Sequence, residues 1–336
     1  MRTGKPPTRA DVARLAGTST AVVSYVVNDG PRPVAAATRE RVVAAIEELD
    51  YRPNAVARAL RTQETQTVAM LVPDISNPFF AEFAQAVQDS AFEQGKVLLI
   101  GDSGGDDERE TAYLRRFLDQ QVEGIVFIGA RRGSSLRTVT DAGVPAVVLD
   151  RPLDGSGHSF VGIDNAAAAG AATRHLIEHG HRRIACVAGP GDQRNAADRL
   201  AGWRTALEES GIAPDPALVH VDDFSVEGGV RAGRALLTTA APDAVFVSSD
   251  SQTEGLLAVA HRLGLTVPGD LAVFGFDGTR RSAYSDPAMS VVEQPVKAAA
   301  QRALDLLASA APEHVLLDFT LAVRRSCGCA ADPGLR

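Results

Sequence analysis

Of 336 residues, 45% are hydrophobic but only 5% aromatic, so the chain can bury more than one core, built chiefly from Ala, Val and Leu. Three cysteines (Cys186, Cys327, Cys329) are too few for a disulfide framework. No apolar run is of signal-peptide type or long enough to span a bilayer, and the expectation is a soluble, cytoplasmic protein. The charge is polarised: residues 1–61 hold ten Lys/Arg against six Asp/Glu, net +4, leaving −12 for the rest of a chain whose total is −8. A basic head on an acidic body points to a polyanion contact confined to the N-terminus.

The first fifty residues predict short helices and no strand. Thr8 and Asp11 fit a capping box ahead of an inward stripe of Val12, Leu15 and Ala16, and Gly17 permits the turn that ends this helix. Ser19 caps a second helix with Val22, Val23 and Val26 inward and Thr20, Ala21 and Tyr25 outward. A third runs from about Thr38 to Leu49, with Val42, Ile46 and Leu49 on one stripe. None of the three can bury its apolar face alone. Helix, glycine turn and a short helix with small leading residues is the helix-turn-helix layout, which sends its second helix into the major groove of DNA.

Beyond residue 67 the pattern alternates. Apolar runs at "TVAMLVPD", "KVLLIGD", "GIVFIGA", "PAVVLD", "RIACVAGP", "ALVHVDDF", "AVFVSSD" and "LAVFGFDG" are each followed by an amphipathic stretch. Near-continuous Val/Ile/Leu strands between helices indicate parallel sheets covered on both faces, and two sets of about a hundred residues predict two doubly wound lobes. Ligands of such folds sit at strand carboxyl ends, which here carry Asp74, Asp102, Asp150, Asp164, Asp250 and Asp277.

The run "TRADVARLAGTSTAVVSYVVND" through "TRERVVAAIEELDYRPNAVARALR" closely resembles the DNA-binding headpiece of the LacI/GalR family of transcriptional regulators. "VAMLVPDISNPFFAEFAQAV", "VLDRP", "VGIDN", "RLAGWRTAL", "VSSD" and "VFGFDGT" look like that family's effector domain, in its order. The resemblance implies an all-α helix-turn-helix headpiece (1–52), a hinge helix and linker (53–66), and a two-lobe α/β domain like the periplasmic binding proteins (67–336). The function it implies is that of a homodimeric repressor of a pseudo-palindromic operator.

By the same resemblance, Thr20 and Ala21 meet base edges, as does Tyr25, where the family usually has Arg; Ser19, Ser24 and Asn28 hold phosphates. "YRPNAVARAL" corresponds to the hinge helix. Pro53 suits its first turn, and its length is too short for stability alone, so it should fold when two copies pair on DNA. Leu60 falls at the family's leucine wedge, with Ala57 beside it. In the cleft, Phe79 and Phe80 would supply an apolar wall and Asp150, Arg199, Asp250 and Asp277 convergent polar groups, with Arg151, Asn165, Phe224 and Gln294 as further candidates. Asp74 and Asp102 are expected to be helix N-caps instead. Carboxylates and an Arg around an aromatic wall suit sugar hydroxyls. Purine-binding relatives share Phe80, Arg199, Phe224 and Asp277 in type but carry an Arg where this chain has Gln193, so a sugar or sugar derivative is the expected effector and a nucleoside the alternative.

Rival signals carry less. "GDSGG" (Gly101–Gly105) imitates hydrolase motifs, but the first histidine is His158, and the acidic run "DDERE" that follows would repel an oxyanion. No enzyme, cofactor or metal is expected: there is no Walker A or dinucleotide fingerprint. His175 and His179, one turn apart, have zinc-like spacing with nothing adjacent to complete a site, and the Cys327-Gly328-Cys329 pair stays unassigned. A free-standing sugar-binding protein shares the two lobes but would lack the headpiece.

Overall fold

A computed structural model describes residues 6–27, 32–53, 59, 64–128, 136–151 and 157–329. Asn28, Ala57 and Leu60 lie outside the described residues. The chain separates into two units, Met1–Thr65 and Gln66–Arg336. Among the described residues no helix is long and apolar enough to cross a membrane.

The first unit holds α1 (Arg9–Leu15), α2 (Thr20–Val27) and α3 (Ala36–Leu49). The capping box forms as the spacing requires: the Thr8 N–H donates to Asp11 Oδ2 at 2.9 Å, and the Asp11 N–H donates to Thr8 Oγ1 at 3.4 Å. Gly17 takes φ +62°, the left-handed value that turns the chain between the helices, and Ser19 Oγ accepts from the Val22 N–H. Val12, Ala13, Ala16, Val23, Val26, Val42 and Ala45 form the core with Tyr51. Two expectations fail here. Leu15 is 46% exposed, because α1 stops within a turn of it and the stripe runs through Val12, Ala13 and Ala16 instead. Val22 is only half-buried, and Val27 packs on the core in its place.

The second unit contains β1 (Thr67–Val72), α4 (Pro78–Glu93), β2 (Val97–Asp102), α5 (Asp107–Asp119), β3 (Ile125–Ile128), α6 (Leu136–Asp141), β4 (Ala146–Leu149) and β5 (Ser159–Ile163). It continues with α7 (Asn165–Glu178), β6 (Ile184–Ala188), α8 (Arg194–Glu209), β7 (Val219–Val221), α9 (Val226–Thr239), β8 (Ala244–Val247), α10 (Asp250–Arg262) and β9 (Ala272–Asp277). The last elements are α11 (Arg280–Tyr284), β10 (Ser290–Glu293), α12 (Val296–Leu307), β11 (His314–Leu317) and β12 (Thr320–Ala322). The strands form two six-stranded sheets, ordered β11-β5-β4-β3-β1-β2 and β12-β10-β9-β8-β6-β7. The two doubly wound lobes are therefore present, but they are interleaved rather than consecutive. After β10 the chain returns to the first lobe, where α12 packs under β3, β4 and β5, and β11 then runs straight on into β12 of the second. A strand that leaves one lobe toward the cleft enters the other pointing away from it. That is why β11 pairs parallel with β5 while β12 pairs antiparallel with β10.

Candidate functional site

The two sheets are related element by element: β4 of the first lobe occupies the place of β9 in the second. Both end at an aspartate with left-handed backbone, Asp150 at φ +64° and Asp277 at φ +100°. Such values cost of order 1–3 kcal/mol at a non-glycine residue and cluster where a side chain must be aimed. Both carboxylates aim at one guanidinium. Arg199, on the buried face of α8, has Nη2 3.7 Å from Asp150 Oδ1 and Nη1 3.5 Å from Asp277 Oδ1. It donates from Nη1 to the Ser248 carbonyl at 2.7 Å and from Nε to Asn165 Oδ1 at 2.8 Å, and its Cζ stacks 3.8 Å from the Phe276 ring centroid. A guanidinium held in this way has little freedom to follow a ligand, so the ligand must fit it.

Asn195 Nδ2 donates to Asp150 Oδ2 at 3.1 Å, and Arg151 Nε stands 3.7 Å from the same oxygen. Asp150 Oδ1 accepts no hydrogen bond in a fully buried position. Asp277 accepts from Gln294 Nε2 at 3.1 Å and from the Asp250 N–H at 3.4 Å. Burial pushes its carboxyl up to about 7; the Arg199 charge opposes that rise and Asp150 adds to it. Asp250, 3% exposed, is also raised, by burial and by the Asp277 charge, and it accepts from the backbone N–H and the hydroxyl of Thr279, each at 2.7 Å.

Aromatic rings form the rim. Phe80, from the first turn of α4, carries Arg151 over its face at 5.6 Å; Phe79 packs edge-on against Phe83 and closes the wall behind it. Opposite, the far end of the Phe224 ring abuts Gly189 just after β6, where any Cβ would come within 2.1 Å of the ring. Asn77 caps α4 by accepting from the Phe79 N–H and reaches across the lobes to donate from Nδ2 to the Phe224 carbonyl at 3.3 Å. Outward from these rings is a cavity of about 380 Å³ lined by Pro73, Asp74, Asn77, Phe80, Ser103, Gly104, Arg151, Gln193, Asp223 and Phe224. Gln193 Oε1 is buried there without a hydrogen-bond partner.

Of the residues singled out from sequence, Phe79, Phe80, Asp150, Arg151, Arg199, Phe224 and Asp277 line one recess. Asn165, Asp250 and Gln294 stand behind it and grip Arg199, Asp277 and the Thr279 turn. Asp74 and Asp102 are not helix caps. Asp74 accepts from the Ser76 N–H at 2.8 Å and Asp102 from the N–H groups of Ile75 and Gly104, so both tie down the loops after β1 and β2, while Asn77 and Asp106 do the capping. Asn77 and Asn195 were missed. The signal for the first was the Asn-Pro at a helix start; for the second there was none, since its partner is 45 residues away. In the first unit, Ser19, Thr20 and Ala21 are exposed at the front of α2, with Ser24 and Tyr25 half-buried one turn on.

A helix-turn-helix unit joined to a two-lobed receptor whose strand ends converge on a polar recess is the build of a ligand-responsive DNA-binding regulator. Residues 8–54 match the model of bacterial regulatory proteins of the lacI family, and residues 173–327 match a periplasmic binding protein-like domain. The chain is 35% identical over 301 residues to the HTH-type transcriptional repressor PurR of Vibrio atlanticus (strain LGP32), covering 88% of this chain and 90% of that one. It is 35% identical over 305 residues to the ribose operon repressor of Escherichia coli (strain K12), covering 89% and 92%. Among solved structures, the lac repressor dimer bound to operator and the anti-inducer ONPF superposes with a TM-score of 0.86 at 28% identity, over 96% of this chain and 99% of that one. The chain belongs to the LacI family. It is a DNA-binding transcriptional regulator controlled by a small-molecule effector.

Proposed function

We propose that the chain acts as a homodimeric repressor in the cytoplasm, on the nucleoid, and that the recess between its lobes takes a sugar or sugar derivative. The observation that carries the ligand class is the Arg199 guanidinium between two strand-end carboxylates under aromatic rings. Carboxylates accept from neighbouring hydroxyls, a guanidinium donates to them, and Phe80 and Phe224 cover the apolar face of a pyranose or furanose ring. No catalytic step is assigned to the chain. Thr20, Ala21 and Tyr25 are proposed to meet base edges, Ser19, Ser24 and Asn28 phosphates, and Leu60 with Ala57 the central minor-groove step. Two-fold symmetry of the dimer requires matching half-sites.

Titration calorimetry with a panel of pentoses, hexoses and sugar phosphates beside purine bases and nucleosides tests the ligand class. A sugar that binds and alters operator affinity supports it; binding confined to the purines overturns it in favour of the nucleoside alternative. Operator selection from random DNA tests the headpiece. Tyr25→Arg is expected to change the preferred base pair at one position of each half-site, by ~1–3 kcal/mol. The same consensus from both proteins removes Tyr25 from base reading.

A further inference from the structure

Two motifs with no part in the cleft meet on the far side of the second lobe. α7 begins at Asn165, the residue that holds Arg199, and ends about 21 Å away at the histidines His175 and His179. Their rings lie 4.5 Å apart, and His175 is wedged against Phe274. The chain returns here 150 residues later as Cys327-Gly328-Cys329. Gly328 takes φ +96°, and this tight left-handed turn brings Cys329 Sγ to both rings and Cys327 Sγ to His175. Cys327 Sγ is 3.2 Å from His175 Nε2; Cys329 Sγ is 3.6 Å from His175 Nε2 and 3.3 Å from His179 Nε2. The ligand atoms of His175, His179 and Cys329 all lie within 4.8 Å of one another.

The three nitrogen–sulfur separations match edges of a tetrahedral metal site. With zinc–sulfur bonds of ~2.3 Å and zinc–nitrogen bonds of ~2.0–2.1 Å, a tetrahedral angle sets each nitrogen–sulfur edge at about 3.5 Å. Hydrogen bonding accounts for the cluster less well: one imidazole nitrogen has a single lone pair or a single proton, yet two sulfurs converge on His175 Nε2. A donor set of two imidazoles and two thiols selects zinc over the hard cations. Support for one ligand is already in place, since Ser290 Oγ donates to Cys327 Sγ at 3.1 Å.

We propose that His175, His179, Cys327 and Cys329 form a zinc(II) site that staples the C-terminal segment to the end of α7. Binding requires loss of the thiol protons, which pass to solvent as the two zinc–sulfur bonds form. The site is independent of effector class, and its test does not use the effector. Full-length protein purified under reducing conditions is dialysed with zinc and then against a weak chelator, and its metal content is measured. About one zinc per chain is expected, raising the unfolding temperature of the wild type. Cobalt(II) in its place is expected to show sulfur-to-cobalt charge transfer and the visible bands of a tetrahedral ion.

Cys329→Ser and His179→Gln change the more accessible ligands, so folding is retained. Each is expected to lower zinc affinity by more than the ~10–100-fold that loss of a supporting hydrogen bond costs, and to abolish the zinc-dependent stabilisation. Absence of bound zinc, a cobalt adduct without sulfur charge transfer, or unchanged stoichiometry in both variants would overturn the proposal. So would an intact mass lower by two hydrogens that persists under reductant, which would make the pair a resting disulfide.

Discussion

The two lobes place an aspartate at the same point, the end of β4 in one and of β9 in the other, each on left-handed backbone, yet they surround it differently. Asp277 finds its partners within or beside its own lobe: Arg199 of α8, the Asp250 N–H and Gln294. Asp150 belongs to the first lobe, but Asn195 and Arg199, which approach it, belong to the second. The Asp277–Arg199 pair therefore exists whether the lobes are near or apart, whereas the contacts of Asp150 with Asn195 and Arg199 exist only when they approach. On the proposed reading, one carboxylate sets the recess and the other senses closure. A ligand that bridged Arg199 and Asp150 would convert binding energy into lobe approach.

The largest effect should come from the group both aspartates share. Arg199→Ala leaves buried carboxylates without their cation, a change that typically costs ~3–5 kcal/mol. Calorimetry should show the unfolding transition of residues 66–336 falling by roughly 6–20 °C, at ~2–4 °C per kcal/mol, together with loss of effector binding. A shift of only one or two degrees would mean that the aspartates do not depend on Arg199 for their charge balance.

Neutralising each aspartate in turn should separate the lobes. Because burial raises Asp277 to about 7, the folded state holds a proton there that the unfolded state has released above about 4. The folded form thus binds more protons between those values, so this group makes stability fall as pH rises from about 4 to about 7, and the deficit persists above. Asp277→Asn keeps the hydrogen-bonding shape of the neutral form. It should flatten that slope and raise the melting temperature above pH 7 by a few degrees while effector affinity drops at least ~10-fold, the 1.4 kcal/mol or more expected of a charged hydrogen bond. Asp150→Asn should do the opposite to stability. It removes a negative charge from between Arg151 and Arg199, so the melting temperature should fall by a few degrees. Melting curves of both variants from pH 4 to 9 decide the matter; parallel behaviour would erase the distinction between the lobes.

How much of this was legible depended on whether a feature is local. The capping box at Thr8, the left-handed Gly17 and eight of the strands announce themselves within a few residues, since caps, turns and apolar runs act over that range. Asp150, Arg199 and Asp277 were legible through motif resemblance. What stayed hidden was pairing at a distance. β11 and β12 are short and mostly half-buried or exposed, so they lack the continuous apolar run that marked β3 or β9. With them went the interleaving of the lobes. The meeting of His175 and His179 with Cys327 and Cys329 was hidden for the same reason: each half looked incomplete until the fold closed 150 residues of chain between them.

The smallest and most selective change is at Asn77. Its Oδ1 accepts the Phe79 N–H as the cap of α4, and its Nδ2 donates across the lobes to the Phe224 carbonyl. Asn77→Asp retains the acceptor and puts a negative charge where the helix dipole favours one, so the first lobe should lose no more than about 0.5 kcal/mol and could gain as much. The interlobe donor, however, is gone, and a carboxylate now faces a carbonyl. Since a neutral hydrogen bond contributes ~0.5–1.5 kcal/mol net, lobe approach should be disfavoured by about that amount, and effector affinity should fall ~2–10-fold with the melting temperature of the free protein almost unmoved. Fluorescence transfer between dyes on the two lobes, read with and without effector, would show this as a smaller closed population at a given effector concentration. If affinity and closure are both unchanged, contacts across the cleft add nothing to binding, and Asp150 loses its role as the sensor of closure along with Asn77.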